Sequence, residues 1–549
     1  MKRRMRAGVL ILLTVSGVPT LSGLAAALWF GVDAASLMRV LDTPGIGLSI
    51  ASSVWTGLVA TSLSLALAHL AVAVAMTGGW RRRLNAFSLP LLAMPHLAVG
   101  IGLALVLAPS GLLLRLISPA VTGLTEPPDW LSVQDPYGLS LIAGLVVKET
   151  AFLVLVLFAA LTQVPAERLL LQARLLGYGR LKAWLVAVAP LLQQQIRLPL
   201  AAVLVFGLTN VEMAIPLGPD LPPTFSVMLW RWFVDADPAI HVQAYTGTLL
   251  LLFVTVLTVV VASRAGRAFG ILWGRWAENG SRLRGEATAR GAVGAFVSSV
   301  WILGMMALLA ILLRSAAGVW RFPDVLPASA ALSSWSGVLP GAGNVAGTTI
   351  LLAAATTLVG VILVLPVAEQ LRRDAALRSR LGAWLFLPLL LPQMTFLFGV
   401  QVLLAYFGLD GTFPAVLWSH LIFALPYLWG LLAPARAAID PRYLSVARTL
   451  GAGPARAWLT STMPLILRST LLGMALAFSV SIALYLPTLF AGAGRIATAA
   501  TEAAAAAGSG TLRLAAVHGI LLAVLPLAAF TAAYAAGAVL FRNRRGMPR

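Results

Sequence analysis

Leu171-Gln172-Ala173-Arg174-Leu175-Leu176-Gly177, with Trp184 and Pro190 beyond it, recurs as Ser445-Val446-Ala447-Arg448-Thr449-Leu450-Gly451, with Trp458 and Pro464 beyond. Ala173/Ala447, Arg174/Arg448, Gly177/Gly451, Trp184/Trp458 and Pro190/Pro464 all stand 274 positions apart. One offset shared by five residue types marks an internal repeat. Each copy opens near a proline, Pro165 or Pro441, and then has a short helical run, 167–176 or 442–450. The run stops at Gly177 or Gly451, since glycine just past a helix is a common terminator. A second run, 179–189 or 454–463, leads to Pro190 or Pro464. The spacing predicts two short helices meeting at a glycine elbow, twice in one chain.

Outward from these loops the sequence is apolar. Of 549 residues, 60% are hydrophobic and 11% charged, and the mean hydropathy is +0.92. Soluble domains carry about 25% charged residues, and disordered chains combine low hydrophobicity with high charge. A polytopic, all-α membrane protein remains. With roughly 20 apolar residues needed per crossing, twelve spans are expected, near 7–30, 50–77, 88–109, 138–162, 196–216, 244–264, 292–313, 346–368, 382–408, 413–435, 469–490 and 514–540. The first follows Lys2, Arg3, Arg4 and Arg6 and has the look of a secretory signal. Eleven further spans make a retained first helix the simpler reading.

Charge sets the orientation. With the N-terminus inside and spans alternating, 31 of the 39 basic residues fall on the inner side. Seven fall outside, and Lys148 lies within a span. Cytoplasmic loops collect Lys and Arg, so both termini and both repeat loops, 163–195 and 436–468, are expected in the cytoplasm. The same rule accounts for the net charge of +20 without nucleic acid. Six spans precede the basic stretch 264–290 and six follow it. This divides the chain into a first six-helix domain (1–270), a cytoplasmic linker (271–290) and a second six-helix domain (291–549). Halves of like topology form a parallel repeat, whose pseudo-two-fold axis runs along the membrane normal.

The duplicated loops suit docking into a groove of a partner. Small Ala173 and Ala447 permit close approach, and the glycines set the angle between the limbs. The alternative is a pair of interfacial amphipathic helices; duplication favours docking. Both loops resemble the "EAA" signature loops of bacterial binding-protein-dependent ABC importer permeases. In that pattern Glu-Ala-Ala is followed after three residues by Gly and thirteen residues later by Pro. Ala173, Gly177 and Pro190 match it, as do Ala447, Gly451 and Pro464. The leading Glu and first Ala are replaced by Leu171 and Gln172, and by Ser445 and Val446. The resemblance covers nearly the whole chain and implies two permease domains fused in tandem, as in thiamine and ferric-iron permeases. It implies that a coupling helix in each loop enters a cleft on one subunit of an ATPase dimer. Gln172, Ala173, Arg174, Gly177 and Pro190, with Val446, Ala447, Arg448, Gly451 and Pro464, are then the coupling residues. It further implies two ATPase copies carrying ATP and Mg, a periplasmic or lipoprotein solute receptor, and a place in the bacterial inner membrane.

The chain itself has no Gly-x-x-x-x-Gly-Lys-Ser/Thr phosphate loop, so ATP hydrolysis is expected elsewhere. No carboxylate pair or Ser/His/Asp set has a plausible spacing, so no catalytic residue is expected. No cysteine is present, and the five histidines are widely spaced; neither a metal site nor a cofactor in this chain is expected. Ionisable residues inside a membrane face a bundle interior or a path. The translocation-path candidates are Lys148, Glu149, Asn210, Glu212, His420, Ser479, Ser481 and Tyr485. For Lys148 and Glu149 the structural alternative is a partner on a neighbouring helix, for His420 a packing role, and for Glu212 an interfacial position near water. His420 stands 272 positions after Lys148, near the repeat offset. The segments around Glu212 and Tyr485 are the best pore-lining candidates. Pro90, Pro95, Pro388 and Pro392 interrupt the third and ninth spans, because proline removes a donor and kinks a helix. Loop 217–243, with Trp230-Arg231-Trp232, offers aromatics to a partner or to the headgroup level. The outer segments hold eleven acids against their seven bases, which mildly favours a cationic cargo. A rival function is an ion-gradient transporter working through broken helices at the midplane. It would leave the duplicated loops without a role.

Overall fold

The computed structural model describes residues 2–78, 84, 88, 90–280, 286–330 and 333–540. Among them the chain is helical, with two isolated bridges (Asp220 with Pro223, Ala317 with Ala330) and no strand. The first half contains α1 (Lys2–Gly31), α2 (Ala34–Leu41), α3 (Ile46–Gly78), α4 (His96–Leu107), α5 (Leu112–Ile117) and α6 (Leu139–Leu161). It continues with α7 (Ala166–Leu175), α8 (Arg180–Gln195), α9 (Arg197–Thr209), α10 (Ala214–Leu217), α11 (Phe225–Phe233) and α12 (Pro238–Glu278). The second half contains α13 (Glu286–Ala316), α14 (Ser333–Gln370), α15 (Ala375–Phe386), α16 (Gln393–Tyr406) and α17 (Phe413–Ala437). It ends with α18 (Arg442–Thr449), α19 (Pro454–Ala483), α20 (Leu486–Gly492), α21 (Ala499–Gly508) and α22 (Leu512–Leu540). From α6 onward the repeat is the same helices again: α6 and α17 begin 274 residues apart, and α9 and α19 end 274 residues apart.

Ten helices are long and apolar enough to cross a membrane, and twelve spans result when two bent pairs each count as one. The bent pairs are α8 with α9, at 72°, and residues 375–390 with α16, at 96°. The second bend falls at Leu391-Pro392, as the prolines of the ninth span predict. In the third span the break is at Pro95, which sits just before α4. Arg81, Arg82, Arg83, Arg282, Arg284 and the basic C-terminal residues lie outside the described residues.

Within the basic stretch 264–290, residues 264–278 and 286–290 are helical. At 41 residues, α12 is about 60 Å long at 1.5 Å per residue, twice the ~30 Å hydrocarbon core. Its last turns therefore leave the bilayer as exposed helix and reach the level of the loops. The halves also interlock. α1 packs on α16, α14, α15 and α17 of the second half, and α13 packs on α4, α3 and α6 of the first. One buried apolar core consequently runs through both halves, with a smaller one around Leu12, Leu385 and Leu428.

Candidate coupling elbows and central turn

The two loops fold as elbows with the same hydrogen bonds. After α7, the Gly177 N–H donates to the Arg174 carbonyl (2.9 Å) and the Tyr178 N–H to Ala173 (3.2 Å). After α18, the Gly451 N–H donates to Arg448 (3.0 Å) and the Ala452 N–H to Ala447 (3.1 Å). Closure of this kind needs a left-handed residue, and the glycines have φ of 83° and 85°. Gly179 and Gly453 then start the second limb in extended geometry. The sequence reading brought this limb to an end at Pro190 or Pro464. Instead, each helix continues through its proline. A wide turn over Trp184–Val188 or Trp458–Thr462 precedes it, with the Ala189 N–H donating to Trp184 and the Met463 N–H to Trp458. The five-residue step moves the carbonyl that the proline ring would strike.

Between the limbs the elbows present apolar side chains to solvent. Leu175, Leu176 and Leu450 are 79%, 70% and 81% exposed. Val446 is also exposed, Ala173 is buried, Ala447 is half-buried, and no residue of α18 is buried. Arg174 and Arg448 beside them are exposed as well.

The roots of the elbows are held differently. At the first, the Trp273 indole donates to the Leu185 carbonyl (3.1 Å), and Lys182 Nζ lies 3.1 Å from the centre of the Trp276 ring. Glu286, opening α13, accepts from the Leu181 N–H. At the second, Glu369 near the end of α14 accepts from the Trp458 indole (2.9 Å), from Arg436 through both carboxylate oxygens, and from Arg372 (2.6 Å). Sequence reasoning missed Glu369 and Arg436. The available signal was Trp184/Trp458, the one aromatic pair in the repeat.

Of the membrane-embedded candidates, several have internal partners. Lys148 donates to the carbonyls of Leu91 (2.7 Å), Leu92 (2.9 Å) and Met94, which the break at Pro95 frees from helical bonding. Glu149 meets His96 Nε2 at 3.0 Å, and the His96 ring packs 4.3 Å from that of Phe206. Adjacent on one helix, the two charges point to separate partners. His420 bridges three helices, pairing Nδ1 with Ser481 (2.7 Å) and Nε2 with Thr488 (2.8 Å). The helix register places Ile422, not His420, at the position of Lys148. Ser479 bonds back to the Ala475 carbonyl of its own helix.

The segments around Glu212 and Tyr485 come together. α9 stops at Thr209, and Asn210 Oδ1 caps the next turn by accepting from the Met213 N–H (2.8 Å). α19 stops at Ala483, one residue short of Leu484 and Tyr485. Val211 and Tyr485 are 274 residues apart, so the same break of the two halves meets across the pseudo-axis. There Glu212 Oε1 accepts from the Tyr485 N–H at 3.4 Å. Trp230 does not stand in an exposed loop as its sequence setting suggested. α11 folds back into the bundle, with Phe225 and Leu229 buried, and brings the Trp230 ring to 6.5 Å from that of Tyr485. Among the described residues no group of three His, Cys, Asp or Glu could hold a metal.

Duplicated elbows on interlocked helical halves, with a helix break of each half on the shared axis, define a two-part helical membrane protein. The chain is 29% identical over 465 residues to the inner membrane ABC transporter permease protein YnjC of Escherichia coli K12, covering 84% of this chain and 83% of that one. It is 35% identical over 156 residues to the molybdenum transport system permease protein ModB of Mycobacterium tuberculosis, covering 26% of this chain and 58% of ModB. ModB of Mycobacterium bovis matches to the same extent. No protein-family profile matches the chain. The first similarity takes in most of both chains.

Proposed function

We propose that this chain is the membrane-spanning permease of an ABC importer of the bacterial inner membrane, with both termini in the cytoplasm. A solute receptor, periplasmic or lipid-anchored, delivers cargo to the outer face. Two copies of a separate ATPase subunit, carrying ATP and Mg, engage the elbows. ATP binding draws these subunits together, the elbows follow, and the central turn opens outward; hydrolysis returns it inward. The observation that carries the reading is the pair of glycine elbows, built alike 274 residues apart and each displaying apolar side chains to solvent. The chain contributes no catalytic residue in this scheme.

The path runs past Asn210, Glu212 and Tyr485, where a helix break from each half supplies polar atoms on the axis. The internal partners of Lys148, Glu149, His420, Ser479 and Ser481 favour structural work for those five. Thiamine is the proposed cargo, with ferric iron as second choice, on the strength of the fused-permease resemblance and the acidic outer segments. Affinity purification of the intact chain from its host, followed by a thiamine and ferric-iron binding screen on the accompanying receptor, tests both parts. An ATPase subunit is expected to co-purify. A chain that transports alone in vesicles would overturn the importer reading, and a receptor that binds neither ligand would overturn the cargo.

A further inference from the structure

We infer that Glu369 is the positioning residue of the second elbow, the carboxylate through which that elbow, α14 and α17 move as one body. The inference rests on the importer reading above. Arg436 lies in the last turn of α17 and is only 1% exposed. A cation so buried requires a counter-charge, and Glu369 supplies it through both oxygens. Paired bonds of this kind fix orientation as well as distance. The oxygen that takes Arg436 Nε also accepts from the Trp458 indole. Trp458 is the first residue of the wide turn at the root of the elbow. Three elements therefore converge on one side chain. Displacing the elbow must drag α14 and α17 or break a charge-assisted bond.

The first elbow lacks this device. The buried Trp184 indole N–H has no hydrogen-bond acceptor among the described residues. Glu369 thus does something specific to the second elbow and is not a general requirement of the repeat.

The chain has no cysteine, so spin labels can be placed cleanly at Tyr443→Cys on the exposed face of α18 and Arg373→Cys just beyond α14, both exposed. Trp458→Phe removes only the indole donor and leaves the Glu369–Arg436 pair in place. The parent should give one narrow distance distribution. Trp458→Phe should add a longer, detached population, roughly tenfold above the parent's, the factor implied by losing a hydrogen bond to a charged group. Glu369→Met, which removes every acceptor, should do the same, and the double variant should add nothing to Glu369→Met alone. With the ATPase subunit, ATP and vanadate present, the distance should hold in the parent and lengthen in Trp458→Phe. A Trp458→Phe distribution superimposable on the parent's would overturn the inference, as would additive effects in the double variant. If Glu369→Met fails to fold because Arg436 is stranded, Trp458→Phe still decides. If no ATPase subunit binds, the importer reading fails, and the distances in the isolated chain still decide on Glu369.

Discussion

Lys148 shows how a residue that reads as functional in the sequence becomes structural in the fold. A lysine in mid-span with no acid facing it on its own helix invites a transport role. Its ammonium instead caps the carbonyls of Leu91, Leu92 and Met94, which lose their helical donors where Pro95 interrupts the chain. The proline and the lysine are 53 residues apart, so only packing reveals that one answers the other. Lys148→Met should leave those carbonyls unpaired in an apolar setting. At about 1–3 kcal/mol for each unsatisfied group, a loss of roughly 3 kcal/mol or more is expected, read as a lower melting temperature in detergent. Glu149→Gln makes the contrast. A glutamine amide still bonds His96, so stability should change by less than about 1 kcal/mol. A melting temperature unmoved by Lys148→Met would remove the structural account and return Lys148 to the candidates for the path.

On the proposed function the elbow is the element that meets the ATPase, and its geometry makes a sharper test than deletion. A Cβ at Gly451 would meet no atom within 4 Å, so any penalty there comes from the backbone angle and not from crowding. Asparagine tolerates left-handed φ and β-branched residues do not. Gly451→Asn should therefore keep ATPase binding near the parent level. Gly451→Val should cost about 1–2 kcal/mol in the docked conformation, weakening ATPase co-purification by roughly tenfold with membrane insertion intact. Equal binding by both variants would show that the left-handed turn is not needed for docking. The elbows were legible in advance because glycine, proline and a fixed offset are local marks that survive without coordinates. The wide turns before Pro190 and Pro464 were not, because the same residues also describe a helix that simply stops. The carboxylate at the second root was hidden for another reason. Glu369 stands 67 residues from Arg436 and 89 from Trp458, separations at which no periodicity carries information. The meeting of Glu212 with Tyr485, 273 residues apart, was half legible. The repeat equated the two segments, but only the fold brings equivalent segments to a common axis.

At the scale of the whole molecule, the two halves are less separable than their sequences imply. α1 crosses α16 where Gly23 and Gly399 allow backbones to touch, and a Cβ on Gly399 would sit 2.6 Å from Gly23 Cα. The related crossing joins α13 to α4, where a Cβ on Gly102 would sit 2.8 Å from the Ala307 carbonyl carbon. Small residues at such crossings are what let membrane helices associate, since lipid offers no hydrophobic drive between them. Each half thus lends its first helix to the other, and the covalent link between them should be dispensable for assembly. Co-expression of residues 1–280 and 281–549 as separate chains, with an affinity tag on one, should recover the pair. Gly399→Leu should break the recovery, because the clash is with backbone that no rotamer change can relieve; overpacking of this kind costs about 1–3 kcal/mol even where side chains can give way. In the unbroken chain the same substitution should be milder, since the linker keeps the halves at high effective concentration. Halves that fail to associate, or that associate equally well with Gly399→Leu, would mean that α1 and α13 do not hold the two halves together.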